Sequence, residues 1–162
     1  MNSFVLRAAD LERDRAAILG FIDALQAFEH EFEPNRRLDP LVAEEYFALM
    51  LERAGKHPHR FLLAVDDAGA AIGWGVAFEA EDDIYVLAAE RRHIYIAELF
   101  VAEHARGLGV GRALIAEFEA WARTRGIAVV QIGVLSGNRR AADVYRRAGY
   151  ADYAIQLRKY LR

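Results

Sequence analysis

Cysteine is absent from this chain of 162 residues. That excludes a disulfide framework, a cysteine-held metal and a cysteine nucleophile, so any acyl transfer must proceed without a thioester on the protein. Serine is nearly as scarce. Ser3 and Ser136 are the only two, and neither lies in a G-x-S-x-G turn, which argues against a serine hydrolase. Metal-ligand spacing is missing as well: His57-Pro58-His59 stands alone in a loop, and His30-Glu31 lacks the second histidine of H-E-x-x-H. There is no basic excess. The formal net charge is −3, whereas a phosphate-binding face normally comes with a basic balance, so nucleic acid is not the expected partner and a small or cationic substrate is.

No apolar run is long enough to span a bilayer, which predicts no membrane association. The segment from Met1 to Arg15 mixes Arg7, Asp10, Glu12, Arg13, Asp14 and Arg15 rather than pairing a basic stretch with an apolar one. The expectation is therefore no signal peptide and a cytoplasmic location. Internal repeats, low-complexity tracts and linkers are absent too. With 54% hydrophobic residues, a single domain over residues 1–162 has enough apolar material for its own core.

Patterning gives the element order. Phe4-Val5-Leu6 suits an edge strand, and Asp10 is placed to cap a helix whose Ile18, Phe21, Ile22, Leu25 and Phe28 recur at helical spacing. The acidic segment Glu29-His30-Glu31-Phe32-Glu33-Pro34 leads to a second helix, roughly Asp39 to Arg53. Phe61 to Val65 and Ala71 to Phe78, separated by Asp66-Asp67-Ala68-Gly69, read as an antiparallel pair. A polar break at Glu79 to Asp83 precedes two further predicted strands, Ile84 to Leu87 and His93 to Val101. From Gly107 to Arg125 the residues Val110, Leu114, Ile115, Phe118, Trp121 and Ala122 form one helical stripe. Ala128 to Leu135 reads as a central strand covered on both faces, Asn138 to Ala148 as a helix ended by Gly149, and Tyr153 to Tyr160 as a closing strand.

The stretch with most chemical content is Arg106-Gly107-Leu108-Gly109-Val110-Gly111-Arg112, which joins a strand to a helix. Its three glycines clear side chains from the turn, so successive backbone N–H groups can face an anion where the helix dipole also favours negative charge. This suits a pyrophosphate. It is not the dinucleotide fingerprint, which needs G-x-G-x-x-G, nor the NTPase loop, which needs G-K-[ST] where this chain has Gly111-Arg112-Ala113.

These residues resemble the acetyl-CoA signature R/Q-x-x-G-x-G/A of the GNAT superfamily of N-acetyltransferases, through Arg106, Gly109 and Gly111. A second signature, N-x-x-A-x-x-x-Y followed by G-F/Y, is matched by Asn138, Ala141, Tyr145, Gly149 and Tyr150. The resemblance implies an α/β GNAT fold: a central mixed, mostly antiparallel sheet flanked by helices and splayed between two central strands. It implies acetyl-CoA as co-substrate, no metal, and an amine as acceptor; dimerisation is frequent in the family. The backbone of Leu108, Gly109, Val110, Gly111 and Arg112, with Gly107 and Arg106 beside it, would hold the pyrophosphate. The backbone of Leu99, Phe100 and Val101 would pair with the pantetheine arm like an added strand. Asn138 would bond the arm, Ala141 would leave room for it, and Tyr145 would face the sulfur.

An attacking alkylamine must be neutral, yet with a pKa of about 10.4 it is mostly protonated at neutral pH, so a proton acceptor helps. Glu98 takes that role by its strand position, where small-amine members of the superfamily carry an acid; it could equally recruit the ammonium, or be a paired carboxylate on a sheet. Tyr145 is the matched acid for the departing thiolate, or a packed helix aromatic. Glu29, Glu31 and Glu33, and Glu79, Glu81, Asp82 and Asp83, would steer a cationic acceptor. Trp74 and Phe78 read as core. A non-catalytic acyl-CoA sensor and a protein lysine acetyltransferase are the alternative readings.

Overall fold

A computed structural model describes residues 3–161. Its elements are β1 (Phe4–Ala8), α1 (Arg15–His30), α2 (Val42–Ala54), β2 (His59–Asp66), β3 (Ala71–Glu81), a one-turn α3 (Ala88–Arg91), β4 (Arg92–Val101), α4 (Val110–Thr124), β5 (Val129–Ile132) and α5 (Arg139–Arg147). The sheet runs in the order β1-β2-β3-β4-β5. Its first three pairings are antiparallel and β4–β5 is parallel.

Strand alternation divides the core into two layers. Leu62, Ala64, Ile72, Ile94 and Ile96 face α4 and its stripe of Val110, Leu114, Ile115, Phe118 and Trp121. Leu63, Val65, Trp74, Val76 and Phe78 face α1 and α2 through Ile18, Ile22, Phe47 and Met50. Gly75 lets α4 sit close: a Cβ there would lie 2.9 Å from the Phe118 ring. The entry into α1 is fixed by Arg7 of β1, which donates to both oxygens of Asp14 at 2.5 and 2.8 Å.

One irregularity in β4 sets up everything that follows. Val76 pairs with Glu98, but the next residue, Ala77, pairs with Ile96, so Ala97 is an extra residue on β4. A bulge of this kind shifts the side-chain parity by one. Ile94 and Ile96 therefore face α4, while Phe100, of the same parity in sequence, faces α1 and α2. The β4–β5 pairing also ends at this point, at Ile96 opposite Ile132, leaving the rest of β4 free on that side. The splay that the resemblance implies begins at this bulge.

Several sequence expectations are corrected. Asp10 does not cap α1; its carboxylate accepts from the N–H groups of Glu12 and Arg13 in a turn that precedes the helix. The polar Glu79 to Glu81 extends β3 rather than breaking it. Ile84 to Leu87 forms no strand: Asp83 draws the chain into a turn, both edges of β3 are already taken, and Ile84, Tyr85 and Leu87 are exposed. β5 is an edge strand of four residues, not a central one, because among the described residues Tyr153 to Tyr160 pairs with no strand and lies exposed.

Candidate active site

A cavity of about 520 Å³ opens where β4 and β5 part, a size ordinary for a small-ligand site. Its floor is β4 from Ile96 to Val101; its walls are the turn from Ala105 to Arg112, the exit of β5, α5 from Asn138 to Arg147, and Leu25, Phe28 and Glu29 of α1.

At one end lies the glycine turn. Gly107 and Gly109 have φ of +83° and +88°, a left-handed backbone that side chains other than glycine's strain to adopt. They turn the chain so that α4 opens at Val110 with its first N–H groups unmatched by carbonyls of its own helix. Gly111 differs. A Cβ there would meet only the Val101 side chain, at 3.6 Å, so the fold tolerates it and the cavity is what it would narrow. Leu108 is exposed, and Val110 points its side chain into the core while its backbone lines the turn. Arg106 turns back, its Nε donating to the Val101 carbonyl at 3.2 Å and its guanidinium lying over the Phe28 ring. Arg112, Arg140 and Arg147 add positive charge to the lining. This is a cradle that fits a pyrophosphate: orphan helix donors, a side-chain-free approach and surrounding guanidinium groups.

The free edge of β4 from Leu99 to Val101 forms the floor beside that turn. Asn138 caps α5, its Oδ1 accepting from the Ala141 N–H at 3.1 Å, so its side-chain oxygen is committed to the helix. Ala141 and Tyr145 face the cavity from the same helix. Tyr145 also packs on Tyr150, and burial, then the charges of Glu29 and Glu98, pushes its hydroxyl up to about 12.

The bulge delivers Glu98 to the opposite wall. Burial pushes its carboxyl up to about 7; Glu29 pushes the same way, while a hydrogen bond from Tyr46 and the charge of Arg36 oppose. Tyr46 of α2, a residue the sequence reading did not single out, donates to Glu98 Oε1 at 2.5 Å. Of the two acidic clusters, only Glu29 reaches the cavity, and it is bonded by Arg36 at 2.7 Å. Glu33 meets Arg158, and Glu79 is clamped by Arg92 and Arg125 near the start of β4, away from the cavity. Trp74 and Phe78 are fully buried, as read.

A five-stranded mixed sheet, parted at a bulged strand and closed by a glycine turn at a helix N-terminus, is the architecture of an acyl-CoA-dependent acetyltransferase. The chain matches the model of the acetyltransferase (GNAT) family over residues 22–150, and it belongs to that family. It is 32% identical over 101 residues to an uncharacterized N-acetyltransferase of Methanocaldococcus jannaschii, a match covering 59% of this chain and 45% of that protein. It is 33% identical over 61 residues to thialysine N-epsilon-acetyltransferase of Bos taurus, covering 38% of this chain and 36% of the relative. The chain thus spans less than half the length of these curated relatives. Its fold superposes on a predicted acetyltransferase from Clostridium acetobutylicum solved with acetyl-CoA, with a TM-score of 0.73 and 17% identity over 98% of this chain and 96% of that one. Among the described residues no helix is long and apolar enough to cross a membrane.

Proposed function

We propose that the chain transfers the acetyl group of acetyl-CoA to the primary amine of a small cationic acceptor by direct attack. The observation that carries this reading is one cavity with the glycine cradle at one end and Glu98 and Tyr145 on its walls. The backbone of Leu108 to Arg112 would hold the pyrophosphate, with Arg106 beside it once released from the Val101 carbonyl. Leu99 to Val101 would pair with the pantetheine arm, Ala141 would leave it space, and the Asn138 amide nitrogen remains to bond it. Acetyl-CoA supplies the thioester whose carbonyl carbon the amine attacks.

Glu98 takes the proton from the ammonium or from the attacking amine as the C–N bond forms. A carboxyl raised to about 7 suits the task, being a better proton acceptor than an ordinary glutamate and still substantially ionised at neutral pH. Tyr145 donates a hydrogen bond to the sulfur as the C–S bond breaks. With its hydroxyl near 12 it stays protonated. Full transfer to a thiolate of pKa about 8.5 is uphill, so its role is to stabilise developing charge, and solvent completes the protonation. Glu98, when ionised, gives this wall its negative character, which supports a cationic acceptor, as does the thialysine activity named for one relative.

A homodimer and a cytoplasmic location belong to the same reading. The outer edge of β5 is unpaired and the alternating Tyr153, Ile155 and Leu157 are 74%, 85% and 89% exposed, a strand pattern that a second copy could complete. Light scattering of the chain ended after Tyr150 should then give a monomer.

Thiol release from acetyl-CoA, measured with a panel of cationic, neutral and anionic amines, tests the function. Cationic amines should accelerate it. No acceleration by any amine would leave only cofactor binding standing.

A further inference from the structure

Glu98 reaches the cavity wall by an unusual route, and the route leaves its orientation undetermined by the strand alone. The bulge at Ala97 swings the carboxylate to the α1 and α2 face and simultaneously ends the pairing with β5, so on one side no neighbouring strand steadies this part of β4. A carboxylate so placed needs an external anchor to keep one orientation. Tyr46 supplies the contact: it lies 52 residues away in sequence, packs in the α1–α2 layer, and donates its hydroxyl to Oε1 at 2.5 Å. Tyr46 does not itself line the cavity.

We propose that Tyr46 is the positioning residue for Glu98, fixing Oε1 as its acceptor so that the second carboxylate oxygen is the one presented to the amine. This rests on the reading of Glu98 as proton acceptor. Two physical effects follow from one bond. Donation to one oxygen removes the rotational freedom of the carboxylate, which is what places a general base within reach of the proton it takes. Donation also favours the ionised form, opposing the burial that holds the proton on. The other charged or titratable groups around the pair are Glu29 of α1, Arg36 before α2, Arg53 of α2, Tyr95 of β4 and Tyr145 of α5. Arg36 is already engaged by Glu29, and Arg53 lies over the rings of Phe78 and Tyr95, so neither replaces the Tyr46 hydrogen bond. Tyr46 keeps its own proton: burial first, and then Glu98, drives its hydroxyl far above the usual phenol range, so it remains a donor at every working pH.

The test is Tyr46→Phe in the full chain, which keeps the ring and removes the donor. Two readouts are taken: the pH profile of kcat/KM with thialysine as acceptor, and the Glu98 titration followed by carboxyl ¹³C NMR against a Glu98→Gln blank. In the variant the Glu98 inflection should rise by about one unit, the scale of a hydrogen bond to a charged group. The rate should then fall about tenfold below pH 7 and approach the parent rate near pH 9, apart from a pH-independent loss from the freed carboxylate. An unmoved NMR inflection, or an equal loss at every pH, would overturn the proposal and return Tyr46 to a packing role. The NMR arm does not depend on turnover. If Glu98→Gln leaves the acid limb of the rate profile intact, the base reading fails, whatever the titration shows for the bond itself.

Discussion

The two ends of the cavity are built by different means. The cradle is local: Arg106 to Arg112 are contiguous, and the glycines that shape the turn do so through their own φ angles. The acceptor wall is assembled from afar. Glu98 on β4, Tyr46 on α2, and Glu29 and Arg36 around the end of α1 meet only because the sheet and helices are packed. A local device is written in residue type and spacing. A tertiary one depends on contacts that no spacing records, and a damaged cradle and a damaged wall should therefore fail differently.

The largest effect should come from Tyr145, which stands where the ends meet. Tyr145→Phe preserves the ring and its packing on Tyr150, so acetyl-CoA affinity should hold while kcat falls about 10²- to 10³-fold, the range for losing one hydrogen-bond donor to developing charge. Steady-state kinetics with calorimetric binding separate the two. Unchanged kcat would mean that the thiolate leaves without it.

Next comes the cradle itself. Gly109→Val forces a branched side chain into a left-handed backbone and should weaken the fold as well as the site. Gly111→Val should not, since its Cβ finds ordinary room. Its thermal midpoint should stay within about 2 °C of the parent, while acetyl-CoA affinity drops about tenfold or more as the side chain blocks close approach of the ligand to the backbone. Undiminished affinity in a folded Gly111→Val protein would remove the cradle assignment.

What the sequence disclosed follows the same division. The turn, both signatures and the amphipathic α4 were legible, because each is specified within a few residues. Glu98 was singled out by its place on the strand, but what turns it to the α1 and α2 face was not legible: Ala97 is an ordinary alanine, and an extra residue in a ladder is visible only against its partner strand. Tyr46 left no signal for a related reason, its partner lying 52 residues away in the chain. The expected strands at Ile84 to Leu87 and Tyr153 to Tyr160 carry strand-forming residues but pair with no strand, the first because both edges of β3 are taken and the second while the outer edge of β5 stays open, which shows that a strand needs a partner as well as a pattern. Of the acids expected to steer a cation, Glu29, Glu33 and Glu79 each hold arginine, pairings that residue type alone does not record.

The smallest expected effect is also the one that best separates function from fold at the acceptor wall. Glu98 carries a folded-state pKa of about 7 against an ordinary value of 4.5, burial being the main cause. The folded protein therefore holds this proton more tightly than the unfolded chain does. The sign follows: below about 4.5 both states are protonated and Glu98 costs nothing, between 4.5 and 7 stability is progressively lost as pH rises, and above 7 the full cost of a half-buried carboxylate is present. Glutamine has the same shape, can still accept from Tyr46, and does not ionise. Glu98→Gln should thus melt higher than the parent at pH 8, each kcal/mol of that ionisation cost being worth about 2–4 °C in a chain of this size, with the gap closing towards pH 4.5. Scanning calorimetry at the two pH values measures it. A carboxylate kept where it weakens the fold is what a site selected for proton transfer looks like. If the glutamine variant melted lower at pH 8, Glu98 would instead be a structural partner of Tyr46, and the wall would have to find its base elsewhere.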